Sequence, residues 1–168
     1  SARDGQMPPA VMALLSESAE LWKHYIGLCL HPDQRISSKH ALRISNSLKT
    51  ISQSLFASCE EKEAGSLLSP LLEALFEAQA EDRFVLVDAL CHVPCQYFPR
   101  TGLPALAAQL AAMLGTGNQE LDIIVLHALL RLTHAYPDLY ASVRGAVCCY
   151  QPPWEEHLAH DWLRARLL

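Results

Sequence analysis

Charged side chains are scarce in this sequence. Asp, Glu, Lys and Arg make up 18% of 168 residues, while apolar residues reach 51%. That balance excludes a disordered chain, which needs high charge and low hydropathy. It also implies that some apolar surface faces a partner, or faces the rest of a longer chain. Aromatics are few, at 7%. β-Branched residues seldom cluster, the run from Ile123 to Val125 being the main exception. With Leu and Ala dominant, this favours helix over sheet, and alternating strand patterns bounded by turns are essentially missing. No apolar run approaches the roughly 18 residues needed to span a bilayer. Excess positive charge is lacking too. The formal net charge of -5 gives no general attraction to nucleic acid.

The start, Ser1 to Met7, is polar and has no signal-peptide pattern. It is expected to be disordered or vector-derived, in a chain that opens like a fragment of a longer protein. Residues 8–168 are long enough for one domain with a substantial core. Six cysteines occur, at 29, 59, 91, 95, 148 and 149. A domain of this size does not need disulfides, and Cys29 and Cys91 sit within apolar helical patterns. Reduced cysteines in a cytoplasmic or nuclear protein are therefore expected.

What is present is helical periodicity. The first helix is predicted from about Pro8 to Leu30, with Val11, Leu14, Leu15, Ala19, Trp22, Ile26 and Cys29 as its apolar stripe. The second runs from about Ser37 to Ser58, with Ala41, Ile44, Leu48, Ile51 and Leu55 on one face. Glu60 to Gly65 reads as a charged connector. A third helix begins near Ser66, or at Ser69-Pro70 with proline in the first helical position. Its apolar residues are Leu71, Leu72, Leu75 and Phe76. A fourth covers about Glu81 to Val93 and stops at Pro94. A fifth runs from Leu103-Pro104 to Gly115, a sixth from Gln119 to Ala135, and a seventh from Pro137 to about Cys149. Pro152-Pro153 opens an eighth, Trp154 to Leu167.

There is an internal repeat. Glu81 to Pro99 aligns with Glu120 to Asp138 at an offset of 39 residues. Glu81 matches Glu120, Ala89-Leu90 matches Ala128-Leu129, and Tyr97 matches Tyr136. Phe84 to Val87 fall opposite Ile123 to Leu126, and Cys91 falls opposite Leu130, which predicts a core cysteine. This spacing resembles HEAT and armadillo repeats, whose helical units recur about every 40 residues. The resemblance extends over about Ser66 to Ala146. It implies an all-α fold of about eight helices in four stacked antiparallel pairs, an α-solenoid. An irregular helical bundle is the alternative.

Catalytic motifs are missing. There is no phosphate-binding G-x-x-x-x-G-K-[ST], no G-x-G-x-x-G after a strand and no G-x-S-x-G elbow. His157, His160 and Asp161 share a helix face but lack the zincin pattern. Cys91, His92 and Cys95 suit zinc in kind, yet no second cysteine pair completes four ligands. Cys148-Cys149 is a vicinal pair with no family signature around it. Gly115 to Asn118 lacks a basic residue, and a helix-ending glycine plus an asparagine N-cap account for it. No cofactor and no metal are therefore expected, and the expected protein is not an enzyme.

Two features remain. Arg35, Lys39 and Arg43 are spaced four apart and make a basic stripe on the second helix, continued loosely by Asn46 and Lys49. The stripe suits an acidic peptide or helix of a protein partner, with nucleic-acid phosphates as the alternative. Trp154, Leu158 and Trp162 share a face of the last helix, as expected of a terminal cap or docking element. The sequence thus predicts a non-catalytic scaffold or adaptor for protein–protein interaction, part of a larger assembly and not a membrane protein. The alternatives are a nucleic-acid-associated subunit, or an enzyme with an unrecognised Cys/His site.

Overall fold

The computed structural model of the chain describes residues 8–17, 19–30, 38–150 and 165–166, and the side chains of these except 12, 15–17, 38–45 and 81. The described residues are all-helical, with eight α-helices and no strand. They are α1 (Pro9–Glu17), α2 (Ala19–Cys29), α3 (Ser38–Ser58), α4 (Glu61–Glu77), α5 (Ala80–Leu90), α6 (Leu103–Met113), α7 (Gln119–Ala135) and α8 (Tyr140–Cys149). The chain divides into two compact units, Ser1–Tyr97 and Phe98–Leu168.

In the first unit, α2 packs on α4 and α3 packs on α5. The contacts give the directions. Trp22 meets Leu67, Lys23 meets Glu73, and Gly27 and Leu30 share a cleft with Ala74 and Ala78. Residue numbers rise together, so α2 and α4 run parallel. The same holds for α3 and α5, where Lys49 meets Asp88, Gln53 meets His92, and the Phe56 and Tyr97 rings lie 6.3 Å apart. Trp22, Leu48, Leu55, Leu67, Leu71 and Leu86 are essentially inaccessible and anchor the core.

The predicted first helix corresponds to α1 and α2, which flank Ser18. Within its stripe Trp22, Ile26 and Cys29 are buried, but Leu14 and Ala19 are exposed. Helix α4 begins at Glu61, not at Ser66 or Ser69. The acidic segment expected as a connector is its first turn. Glu60 is the N-cap, its N–H donates to Glu63 Oε2 at 3.2 Å, and Glu61 and Glu63 offset the positive end of the helix. Pro70 therefore lies inside the helix and is buried. Its missing N–H leaves the Ser66 carbonyl without its usual intrahelical donor. Phe76, placed in the apolar stripe from sequence, is 48% exposed.

In the second unit α7 and α8 both pack on α6, and a 3-10 turn at Pro137–Leu139 packs against all three helices. Helix α7 has the predicted bounds. Asn118 caps it by accepting from the Leu121 N–H at 2.9 Å. Gly115, just past α6, has φ +77°, the left-handed conformation glycine adopts without strain. Asp122 is fully buried. Its Oδ1 accepts from the Gly115 N–H at 2.9 Å, and its Oδ2 accepts from the Tyr150 hydroxyl.

The two aligned segments share a burial pattern. Leu86 and Val125, Val87 and Leu126, Ala89 and Ala128, Leu90 and Leu129, and Val93 and Leu132 are buried pair by pair. Phe84 and Ile123, and Val85 and Ile124, are half-buried. Cys91 is half-buried like Leu130 opposite it, so it is not the core residue expected. The segments differ in length: α5 ends at Leu90 as the chain turns towards Pro94, while α7 continues to Ala135.

Candidate interaction surface

The α2–α4 pair carries the most distinctive surface of the described residues. Its base is Trp22, whose ring stacks on Tyr25 at 5.9 Å and 15°. The indole N–H donates to the Leu67 carbonyl at 2.8 Å. Tyr25 also shares a 2.9 Å hydrogen bond with Ser47 of α3. Burial pushes the Tyr25 pKa up to about 12, against a lowering by the Ser47 bond. Burial likewise raises the Cys29 thiol. These contacts fix α2 against both neighbours.

Above this base a cleft of about 270 Å³ opens between α2 and α4. Ile26, Pro70 and Ala74 give it apolar walls, and Glu73 and Glu77 lie one turn apart on α4. Lys23 reaches Glu73 Oε2 at 3.5 Å, both side chains being well exposed. Leu28 is 67% exposed and Leu21 40%, seven residues apart and so on the same side of α2. Leu28 and Phe76 lie near the C-terminal ends of two parallel helices, at the same end of the pair.

A second polar group joins α3 to α5. Asp88 lies 3.7 Å from Lys49 Nζ and 4.0 Å from His92 Nε2, and His92 Nδ1 bonds to Gln53 Nε2 at 2.9 Å. Lys49, read from sequence as the tail of the basic stripe, is thus engaged inside the fold. Arg35 lies outside the described residues. Lys39 and Arg43 fall on α3, but their side chains lie outside the described residues. Trp154, Leu158 and Trp162 lie outside them too, as do His157, His160 and Asp161.

Among the described residues no three His, Cys, Asp or Glu side chains converge as metal ligands would. No disulfide joins any of the six cysteines, and Cys148 and Cys149 are exposed. Burial raises the Cys59 pKa, with a further push from the Glu63 charge. No helix among the described residues is long and apolar enough to cross a membrane. The chain matches no known family model, no curated protein and no solved structure.

The sequence singled out neither Leu28 nor the α2–α4 cleft. Leu21 and Leu28 do fall off the stripe of Trp22, Ile26 and Cys29, and that displacement was the available signal.

Proposed function

We propose that this protein is a non-catalytic interaction scaffold, built as a HEAT- or armadillo-like stack of helix pairs. The observation that carries the proposal is the exposed apolar set Leu21, Leu28 and Phe76 on the paired helices α2 and α4. Exposed leucines occur singly on many proteins. Here they fall on two neighbouring parallel helices joined by the Trp22–Leu67 hydrogen bond, with Leu21 and Leu28 on one side of α2.

Support for the stack comes from the pairing of alternate helices. In an up-and-down bundle, alternate helices sit diagonally and consecutive ones make the main contacts. In a repeat stack, corresponding helices of successive pairs lie side by side and parallel. Helices α2 and α4, and α3 and α5, follow the second pattern. The matched burial of Leu86 to Leu90 and Val125 to Leu129 supports the same reading.

The test is quantitative affinity capture with the tagged full chain, its Leu28→Asp/Phe76→Ser variant and an Ala105→Ser control. The scaffold reading expects specific protein partners that are lost with the double variant and kept with the control. Partners retained by the double variant would remove this surface from the account.

A further inference from the structure

We propose that Cys148 and Cys149 form a thiol–disulfide switch that releases the end of α8 from α7. The two residues are adjacent at the C-terminal end of α8, and both are exposed. Val147, just before them, is fully buried, so α8 keeps its packed face inward while the pair meets solvent. Reduced, the pair suits a helix. Side chains at successive helix positions point about 100° apart and do not face each other. Joined, it does not suit one. A disulfide needs Cβ atoms about 3.5–4.5 Å apart and Cα atoms usually about 4.4–6.8 Å apart, whereas successive Cα atoms stand only about 3.8 Å apart. Closing the bond therefore pulls Cys148 and Cys149 out of helical geometry.

The residue that follows carries the consequence. The Tyr150 N–H makes the last hydrogen bond of α8, to the Ala146 carbonyl at 3.0 Å. Unwinding at Cys148 and Cys149 breaks it. Tyr150 is itself buried, and its ring lies 3.8 Å from the position a Cβ on Gly115 would take. Its hydroxyl donates to the buried Asp122, which also holds the Gly115 N–H. Tyr150 thus ties the end of α8 to α7 and to the loop after α6. Withdrawing it takes one donor from a buried carboxylate and uncovers Gly115.

The oxidant is a small-molecule disulfide such as oxidised glutathione. One protein thiolate attacks it, forming a mixed disulfide and expelling a glutathione thiolate. The neighbouring thiolate then attacks the protein sulfur of that mixed disulfide, forming the Cys148–Cys149 bond and expelling the second glutathione thiolate. The protein gives up two electrons and two protons, and oxidised glutathione becomes two thiols. A bond that the fold opposes is readily reduced again, as a switch requires.

The experiment incubates the folded full chain in glutathione buffers of rising oxidised-to-reduced ratio, then applies tryptic mass mapping and amide spectra. Cleavage after Arg144 and Arg164 yields the peptide 145–164, which contains no cysteine besides this pair. That peptide is expected to become two hydrogens lighter. The amides of Gly115, Asp122 and Tyr150 should shift with it and return on adding dithiothreitol. The folded chain should need an oxidised-to-reduced ratio about tenfold higher than the urea-unfolded chain, because the bond and the fold oppose each other equally. Cys148→Ser should stop at the mixed disulfide on Cys149 and leave Gly115 and Asp122 in place. A pair that stays reduced at every ratio, or carries two glutathiones without closing, would overturn the proposal. So would closure with Gly115 and Asp122 unmoved.

Discussion

Trp22 donates its indole N–H to the main-chain carbonyl of Leu67, 45 residues away, across 2.8 Å. Three residues beyond Leu67 is Pro70, which interrupts the hydrogen-bond ladder of α4. A side chain from the neighbouring helix thus bonds to α4 beside the turn where its own ladder is broken. Trp22→Phe keeps most of the ring and removes the donor. It should cost about 1–3 kcal/mol, from a buried carbonyl losing a partner and a small void. Urea unfolding measures this, and a change within about 0.5 kcal/mol would mean that the bond carries no stability.

Asp122 plays the corresponding part in the second unit. It holds the Gly115 N–H on one oxygen and the Tyr150 hydroxyl on the other, tying the loop after α6 and the end of α8 to α7. Tyr150→Phe should cost about 1–3 kcal/mol, from a buried carboxyl oxygen left without its donor. Asp122→Ala should cost more, because it strands two donors. Reversal of that order in denaturant titrations would contradict the assignment of Asp122 as the hub.

Much of this was legible in the sequence, and the reasons differ by element. Helix α7 was readable because Gly115, Asn118 and Pro137 punctuate it and its apolar residues are periodic. The start of helix α4 is not legible, because Ser69-Pro70 is a good helix start in isolation while the helix begins at Glu61. Glu60 is a less usual N-cap residue, and the charges around it read as a connector. The overriding factor is tertiary: Leu67, Leu68, Pro70, Leu71 and Leu75 are all buried. Asp122 could not be anticipated, since its partners come from a loop and from the end of another helix. The α2–α4 cleft was hidden for the same reason, its two walls being some 45 residues apart in the chain. The basic stripe and the Trp154 face lie on residues whose side chains are not described.

The aligned segments make a paired prediction. Leu90 is 5% exposed and Leu129 is inaccessible. Leu90→Ala and Leu129→Ala should each destabilise by about 2–5 kcal/mol, with Leu129 the larger. Denaturant unfolding of both variants checks this. A negligible effect at one position alone would break the equivalence of the two segments.

Tyr25 should report on high pH. Burial pushes its pKa up to about 12 in the folded chain, above the ordinary 10.0 of a tyrosine. Between those values the unfolded chain loses the phenol proton and the folded chain keeps it. Stability is therefore complete below the lower value and falls as pH rises through the higher one. Tyr25→Phe should flatten that alkaline loss in thermal melts. An unchanged alkaline limb would show that Tyr25 titrates as an ordinary surface tyrosine.

A partner protein is expected to sit on α2 and the C-terminal half of α4. Hydrogen–deuterium exchange of the full chain, alone and saturated with a captured partner, measures this peptide by peptide. The predicted result is protection concentrated in residues 20–30 of α2 and 69–78 at the C-terminal half of α4, with α6 and α7 unchanged. Protection confined to other helices, with α2 and α4 exchanging as in the free chain, would contradict it.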